Sequence, residues 1–486
     1  MGWRLSSSGV NRVSAFLFEN GTDVYKLTGA YLGQDLRKIM AIGLPLVANN
    51  LSSIAINVAD TRMASELGTS QLAAVAIGSG IWIALFLLGL GVIMALGPTV
   101  AQHYGAGRLE EIGHETRQSL VVGLGLSLVV FFAMRSFEPF LLHLGIDPEV
   151  SALAQEYLSA LSWGVFAAYG YHTFKQMSEG VGRTIPIMVV MCTMLPVNVA
   201  LNYVLMFGKL GIEPMGVAGC GLGNSISFWI MFAMLVTYSL TSQYYRSFKI
   251  FKLSSWIDWP VLRRLVSLGM PIGLSLFLQS GLFTTVALLM ATLGTVAVAA
   301  HQVVLSYSGL VFMVPLGLAM ALTVCVGQEI GRGDTQSAIR IGYTGLIICA
   351  LVSTVASATT FFYAPVIAQL YTSDASVIAL STHLFRLAAL LQFGDGIQVA
   401  AAFVLRGLKD TRVPLMLNAV NYWGFGFVLA YVLGMSLGYG ATGVWLGLSL
   451  SLCTGAILLT GRFVFLARNM QDDDSIKQTN NSLLER

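Results

Sequence analysis

The sequence predicts an all-α membrane protein, with twelve transmembrane helices in two pseudo-symmetric six-helix bundles, related as parallel repeats around a central cleft. Three observations predict it. The 486 residues are 56% hydrophobic and 10% charged, with a mean hydropathy of +0.74, whereas soluble domains carry about 25% charged residues. Twelve apolar runs approach or exceed the roughly 20 residues that a spanning helix needs. The chain also repeats itself. Pro45 to Gly68 is echoed by Pro271 to Gly294, an offset of 226 (271 − 45), and Gln102-His-Tyr-Gly-Ala-Gly by Gln328-Glu-Ile-Gly-Arg-Gly at the same offset.

The runs fall at 40–64, 71–102, 118–142, 151–177, 185–207 and 216–240, then at 262–291, 296–327, 338–363, 377–404, 412–434 and 441–466. They are continuous, whereas barrel strands would alternate. The organisation expected is a cytoplasmic N-terminal segment (1–35), a first lobe (36–240), a cytoplasmic inter-lobe loop (241–261), a second lobe (262–468) and a polar tail (469–486) that reads as mobile. The first 35 residues lack the apolar core and small-residue cleavage site of a removable signal peptide. Lys and Arg gather at alternate connections: Arg37, Lys38, Arg108, Arg117, Lys175, Arg183, Arg246, Lys249, Lys252, Arg263, Arg264, Arg332, Arg340, Arg406, Lys409, Arg412, Arg462 and Arg468. The opposite connections hold little beyond Arg135 and Lys209. This asymmetry puts both termini in the cytoplasm of a multi-pass inner (plasma) membrane protein. Six spans per copy is even, so both copies enter and leave on one side, as parallel repeats do.

A net charge of +3 gives no reason to expect a nucleic-acid partner. Cys192, Cys220, Cys325, Cys349 and Cys453 lie in apolar runs and read as packing residues. Gly216-Val-Ala-Gly resembles Gly440-Ala-Thr-Gly, and Glu179-Gly-Val-Gly resembles Arg406-Gly-Leu-Lys; such small residues let helix backbones approach closely. His-Glu-x-x-His, a phosphate-cradling glycine loop and a Gly-x-Ser-x-Gly elbow are all absent from the sequence, so no enzyme is expected.

An ionised group inside a bilayer is costly and usually faces a cavity. Asp60 lies late in span 1 beside Asn57, and Asp395 lies mid-span 10 with Gln392 and Gln398 three residues to either side. Arg62 and Arg386, the other intramembrane charges, are near enough to span ends to snorkel. A carboxylate in a low-dielectric cavity accepts either a proton or a cation, so a coupling ion and a cationic substrate can compete for it, which suffices for antiport. Asn198 and Asn202 are one turn apart on span 5 and share a face, and their amide oxygens can ligate a hard cation such as sodium beside Asp60. With Asp395 they complete the expected cation and proton coupling set. Gln279 in span 7, placed to bond across to span 10, joins Asp395, Gln392 and Gln398 as the expected substrate cleft. Pro45 and Pro271 free backbone groups within their helices and are candidate bending points. His301-Gln302 reads as a packed polar pair.

Taken together, Val58-Ala-Asp-Thr-Arg-Met-Ala, Val100-Ala-Gln-His-Tyr-Gly-Ala-Gly-Arg, Leu195-Pro-Val-Asn-Val-Ala-Leu-Asn-Tyr, Val298-Ala-Ala-His-Gln-Val and Asp395-Gly-Ile-Gln-Val-Ala-Ala-Ala-Phe-Val-Leu-Arg-Gly-Leu-Lys-Asp resemble the multidrug and toxic compound extrusion (MATE) transporters, most closely their NorM-type bacterial branch, over residues 34 to 468. The resemblance implies twelve helices in two lobes and efflux of bulky, often cationic drugs and dyes against proton or sodium entry. It implies that Asp60, with Asn198 and Asn202, is the acid of the first lobe and Asp395 that of the second. The branch commonly has a glutamate where this chain has Gln279. An amide supplies no formal charge, so proton coupling is expected in preference to sodium. The expected partners are cationic drugs and the lipid bilayer, with no cofactor beyond the coupling ion, and the chain is expected to act as a monomer. The alternative is a flippase for a lipid-linked precursor, whose anionic substrate would call for a cleft rich in Lys and Arg.

Overall fold

The computed structural model describes residues 21–143, 145–250 and 257–484, with side chains from Leu32 to Asp472. Twelve helical spans run through it: α1 (Gly21–Leu67), α2 (Thr69–Gly105), α3 (Leu109–Arg135), α4 (Pro148–Ser162 continued by Val165–Gly180), α5 (Ile185–Phe207), α6 (Gly216–Thr241), α7 (Trp259–Ala291), α8 (Thr295–Arg332), α9 (Thr335–Phe362), α10 (Ala375–Gly407), α11 (Arg412–Ser436) and α12 (Gly440–Leu484). Eleven are helices long and apolar enough to cross a membrane. The twelfth, α4, is interrupted at Trp163-Gly164. A Cβ on Gly164 would lie 2.7 Å from Ser225 Cα, so α6 passes too close there for any larger residue.

Several starts and stops follow local chemistry. Asp147, Asp258, Asp334 and Asp374 cap α4, α7, α9 and the start of α10, their carboxylates accepting first-turn amides at 2.8 to 3.3 Å. Gly208 and Gly333 end α5 and α8 in left-handed conformations. α11 contains two π-helical stretches, Val420–Phe427 and Val432–Ser436. They hold Gly426 and Gly434, whose absent side chains leave room for Ser451 and Val444 of α12. No Gly or Pro follows Gly461, and α12 continues to Leu484. The segment expected as a mobile tail is therefore helical from 469 to 484. α1 likewise reaches back to Gly21, into the expected N-terminal segment, and a short helix, Gln243–Arg246, stands in the expected inter-lobe loop. Lys252 and residues 1–20 lie outside the described residues.

Helices α1 to α6 and α7 to α12 each surround cores of their own, but the first helix of each repeat leans across. Ile39, Ile42 and Leu46 of α1 are buried among α8, α9 and α10, while Val261 and Leu265 of α7 are buried with Ala95 of α2. α2 meets α7 at Gly91 and Gly273, where a Cβ on Gly91 would lie 2.0 Å from Gly273 Cα.

The basic ends of the lobes are closed on each other by a reciprocal arrangement. Gln102 Nε2 donates to Gly407 O at 3.0 Å, and Gln328 Nε2 donates to Gly180 O at 3.1 Å. Beside these bonds, a Cβ on Gly105 would fall 1.9 Å from Gln328 O, and one on Gly331 would fall 2.0 Å from Gln102 O. Lys38 of α1 reaches Glu329 of α8 at 2.6 Å, and Arg264, its counterpart 226 residues on (264 − 38), pairs with Glu115 of α3. The two lobes are thereby tied together at this face.

Candidate functional site

Three cavities converge on Leu87 of α2. One of about 490 Å³ lies in the first lobe, one of about 330 Å³ lies mainly in the second, and one of about 250 Å³ lies between them, walled by Asn50, His172 and Lys175 as well as by Gln279, Asp395 and Tyr422. Asp60 borders the first, and Asp395 borders both of the others.

The Asp60 side is a closed amide network. Asp60 is 7% exposed. Its Oδ1 accepts from Asn202 Nδ2 at 2.7 Å and its Oδ2 from Asn224 Nδ2 at 2.9 Å. Asn198 Nδ2 donates to Asn224 Oδ1 at 2.7 Å and to Ser227 Oγ at 3.0 Å, and Asn198 Oδ1 accepts from Asn202 at 3.3 Å. α5 provides two of these amides because Asn198 and Asn202 share a face. α6 comes close enough to provide Asn224 because Gly223 has no side chain: a Cβ there would lie 1.9 Å from Asn202 Oδ1. That oxygen is buried with no hydrogen-bond partner among the described residues. Asn57 also lines the cavity.

The Asp395 side is open in the opposite sense. Asp395 is 8% exposed and, among the described residues, has no hydrogen bond and no basic partner within salt-bridge distance. Gln279 faces it from α7 across both cavities and forms no bond to α10, contrary to expectation. The flanking glutamines are instead committed. Gln392 accepts from Thr360 Oγ1 at 2.8 Å and donates to Ser308 Oγ at 3.3 Å. Gln398 donates to Tyr422 Oη at 2.5 Å and to Asn418 Oδ1 at 3.3 Å. Both still line a cavity, Gln392 the larger and Gln398 the smaller.

Pro45 and Pro271 lie inside unbroken α1 and α7. His301 is buried against Trp445, with neither ring nitrogen hydrogen-bonded among the described residues, and Gln302 is exposed. Among the described residues no three His, Cys, Asp or Glu side chains converge as a metal site. Arg62 is exposed near Glu66 at 3.8 Å, and Arg386 is also exposed. Lys175 requires a correction. It is not at a connection but 7% exposed in α4, 3.5 Å from Glu179 and lining, with His172, the cavity of the first lobe and the one between the lobes. Sequence reasoning also missed Asn224, a single amide in the small-residue run that opens α6.

The MatE family model matches residues 45–204 and again 271–432. The chain is 35% identical over 439 residues to the "Multidrug resistance protein MdtK" of Yersinia pseudotuberculosis serotype O:1b, covering 89% of this chain and 96% of that protein. The protein of the same name in Yersinia enterocolitica serotype O:8 matches to the same extent. Among solved structures, a eukaryotic MATE transporter, AtDTX14, superposes with a TM-score of 0.81 at 22% identity, over 91% of this chain and 99% of that one. A multidrug resistance MATE family transporter in an outward-facing conformation superposes at 0.83 and 19% identity, over 90% and 97%. These likenesses carry the twelve-helix, two-lobed fold.

Proposed function

We propose a coupling mechanism for this chain, which belongs to the MATE family of multidrug efflux transporters. A proton, in preference to sodium, exchanges against a bulky and often cationic drug or dye at the buried carboxylates. The protein works in the inner membrane as a monomer, with both termini cytoplasmic and without enzymatic chemistry.

One observation carries the reading: Asp395 is a buried carboxylate on a cavity wall with no counter-cation held against it. A buried unpaired charge is strongly disfavoured, so the site draws in whichever positive species is at hand, a proton or a cationic ligand. Among the described residues, two basic side chains face these cavities: Lys175, which is paired with Glu179, and Arg406 of α10, which borders the cavity of about 250 Å³ and stacks over the Phe403 ring at 4.1 Å. The flippase alternative needs a cleft dominated by basic groups, and this one sets Asp60 and Asp395 against Lys175 and Arg406, with Lys175 already paired to Glu179. With Gln279 opposite it, Asp395 stands alone as an acid, which favours the small, polarising proton. Asp60, by contrast, is prearranged as an acceptor by two amides, with Asn202 Oδ1 as the oxygen available to a sodium ion. Pro45 and Pro271 are the points at which α1 and α7 would bend during exchange. Similar chains solved in "bent" and "straight" conformations support that reading.

Dye accumulation in everted vesicles, whose cytoplasmic face is outward, tests it. Collapsing the proton gradient abolishes export, removing sodium does not, and Asp395→Asn or Asp60→Asn reduces export at least tenfold at normal expression. Export that ignores both gradients, or survives in both variants, overturns it.

A further inference from the structure

The two repeats provide an internal control for a pocket at the basic face of the second lobe. α4 runs into α5 through Gly182-Arg183-Thr184, and α10 runs into α11 through Lys409-Asp410-Thr411. Both copies build one turn. Thr184 Oγ1 donates to Ile42 O at 3.1 Å, and Thr411 Oγ1 donates to Leu268 O at 3.1 Å; Ile42 and Leu268 are themselves one repeat apart (268 − 42 = 226). Both turns need a left-handed residue, with φ +80° at Gly182 and φ +61° at Lys409. Glycine adopts that conformation freely, whereas a side chain crowds the neighbouring carbonyl. The second repeat thus accepts a strained lysine where the first uses glycine, and strain retained in this way is characteristic of functional positions. It also has Arg412 where the first repeat has Ile185.

Lys409, Arg412 and Arg264 border a cavity of about 310 Å³, with Thr99 and Ser267 on its wall. Its one acid, Asp410, is occupied, accepting from Arg462 Nε at 2.7 Å. Arg264 pairs with Glu115, and Arg412 Nη2 donates to Ser267 Oγ at 2.8 Å. Lys409 has no side-chain hydrogen bond or salt bridge among the described residues. Burial first, then Arg264 and Arg108, pull its ammonium down to about 8 against the opposing effect of Glu115, so the pocket has positive charge in excess. α11 begins at its edge with no side-chain cap, so the backbone N–H groups of Arg412 and Val413 have no side-chain acceptor there. On the two helices that flank it, Met270 and Met416 are 54% and 67% exposed.

We propose that this pocket binds a phosphate group, brought by an anionic lipid headgroup or by free phosphate. Three cations and a helix start supply the charge and the donors such an oxyanion takes. The exposed methionines alongside offer acyl chains a place to lie.

The full-length protein in detergent, assayed with phosphatidylglycerol and separately with sodium phosphate, tests this. The variants are Lys409→Gly and Arg412→Ile, which install the first repeat's own residues and leave the turn able to form. Binding is expected to weaken about fivefold for each cation removed and about 25-fold in the double variant. Phosphatidylglycerol retained against excess sodium phosphate assigns the site to lipid. Sodium phosphate that binds the wild type and displaces the lipid assigns it to the free ion. If wild type and double variant bind both probes equally, or the wild type binds neither, the proposal fails.

Discussion

Asp60 receives two amide N–H groups and Asp395 receives none, so the two buried acids are prepared for different occupancy. Asn224 is the test of the first. Its Nδ2 is half of what holds the Asp60 carboxylate, and hydrogen bonds to charged groups contribute about 1.5–3 kcal/mol. Asn224→Leu should therefore weaken ion-driven dye export by about ten- to a hundredfold, with the protein still folded by circular dichroism; unaltered export would make Asn224 a packing residue. Lys409 gives a pH test outside the spans. Its folded-state value of about 8 lies below the ordinary 10.5, so between those two limits the unfolded chain binds more protons and stability rises with pH. Relative to Lys409→Gly, the wild type should gain thermal stability as pH goes from 8 towards 10.5 and show no relative change below pH 7. A parallel pH response in both proteins would show that the Lys409 ammonium is not held down by its surroundings.

Glycines decide what the helices can do at the scale of elements. α2 and α8 meet at the basic face because Gly105 and Gly331 let each backbone press against the other's glutamine carbonyl. On the proposed efflux cycle, a drug entering from that side would need these contacts parted. Gly105→Ala should overpack the closed arrangement by about 1–3 kcal/mol, enough to raise labelling of a nearby introduced cysteine from the basic side about five- to a hundredfold; labelling equal to wild type would mean that the seal lies elsewhere. The helices themselves were legible, because a spanning segment must be long and apolar whatever it packs against, and the 226-residue offset announced the repeat. The positions of Asp60, Asn198 and Asn202 were legible too, since a polar group in an apolar run and a one-turn spacing are local facts. Lys175 was not, because a lysine near the end of an apolar run reads as a connection until its partner Glu179 and the cavity are seen. Asn224 was missed for a related reason: its meaning depends on how close Gly223 lets α6 come to α5. The helical continuation past 469 went unread because three consecutive aspartates looked like a solvated tail, although no helix breaker follows Gly461.

At the scale of the whole molecule, two copies of one unit carry different acid sites. The first repeat surrounds its acid with amides; the second leaves its acid bare and faces it with Gln279, and the three cavities meet at Leu87. On the proposed coupling mechanism, that asymmetry would let one lobe discriminate between ions by geometry and the other by charge alone. Gln279→Glu would put a second carboxylate on the cavities that Asp395 lines. Two facing carboxylates repel unless a cation sits between them or one carries a proton, and sodium meets the first condition where a single acid holds it weakly. The variant should acquire sodium-stimulated dye export in everted vesicles, by about threefold or more over the potassium control, at a pH where the wild type responds only to the proton gradient. Ion dependence identical to that of the wild type would place Gln279 outside the coupling path, and the ion choice would then have to be sought in the amide network around Asp60.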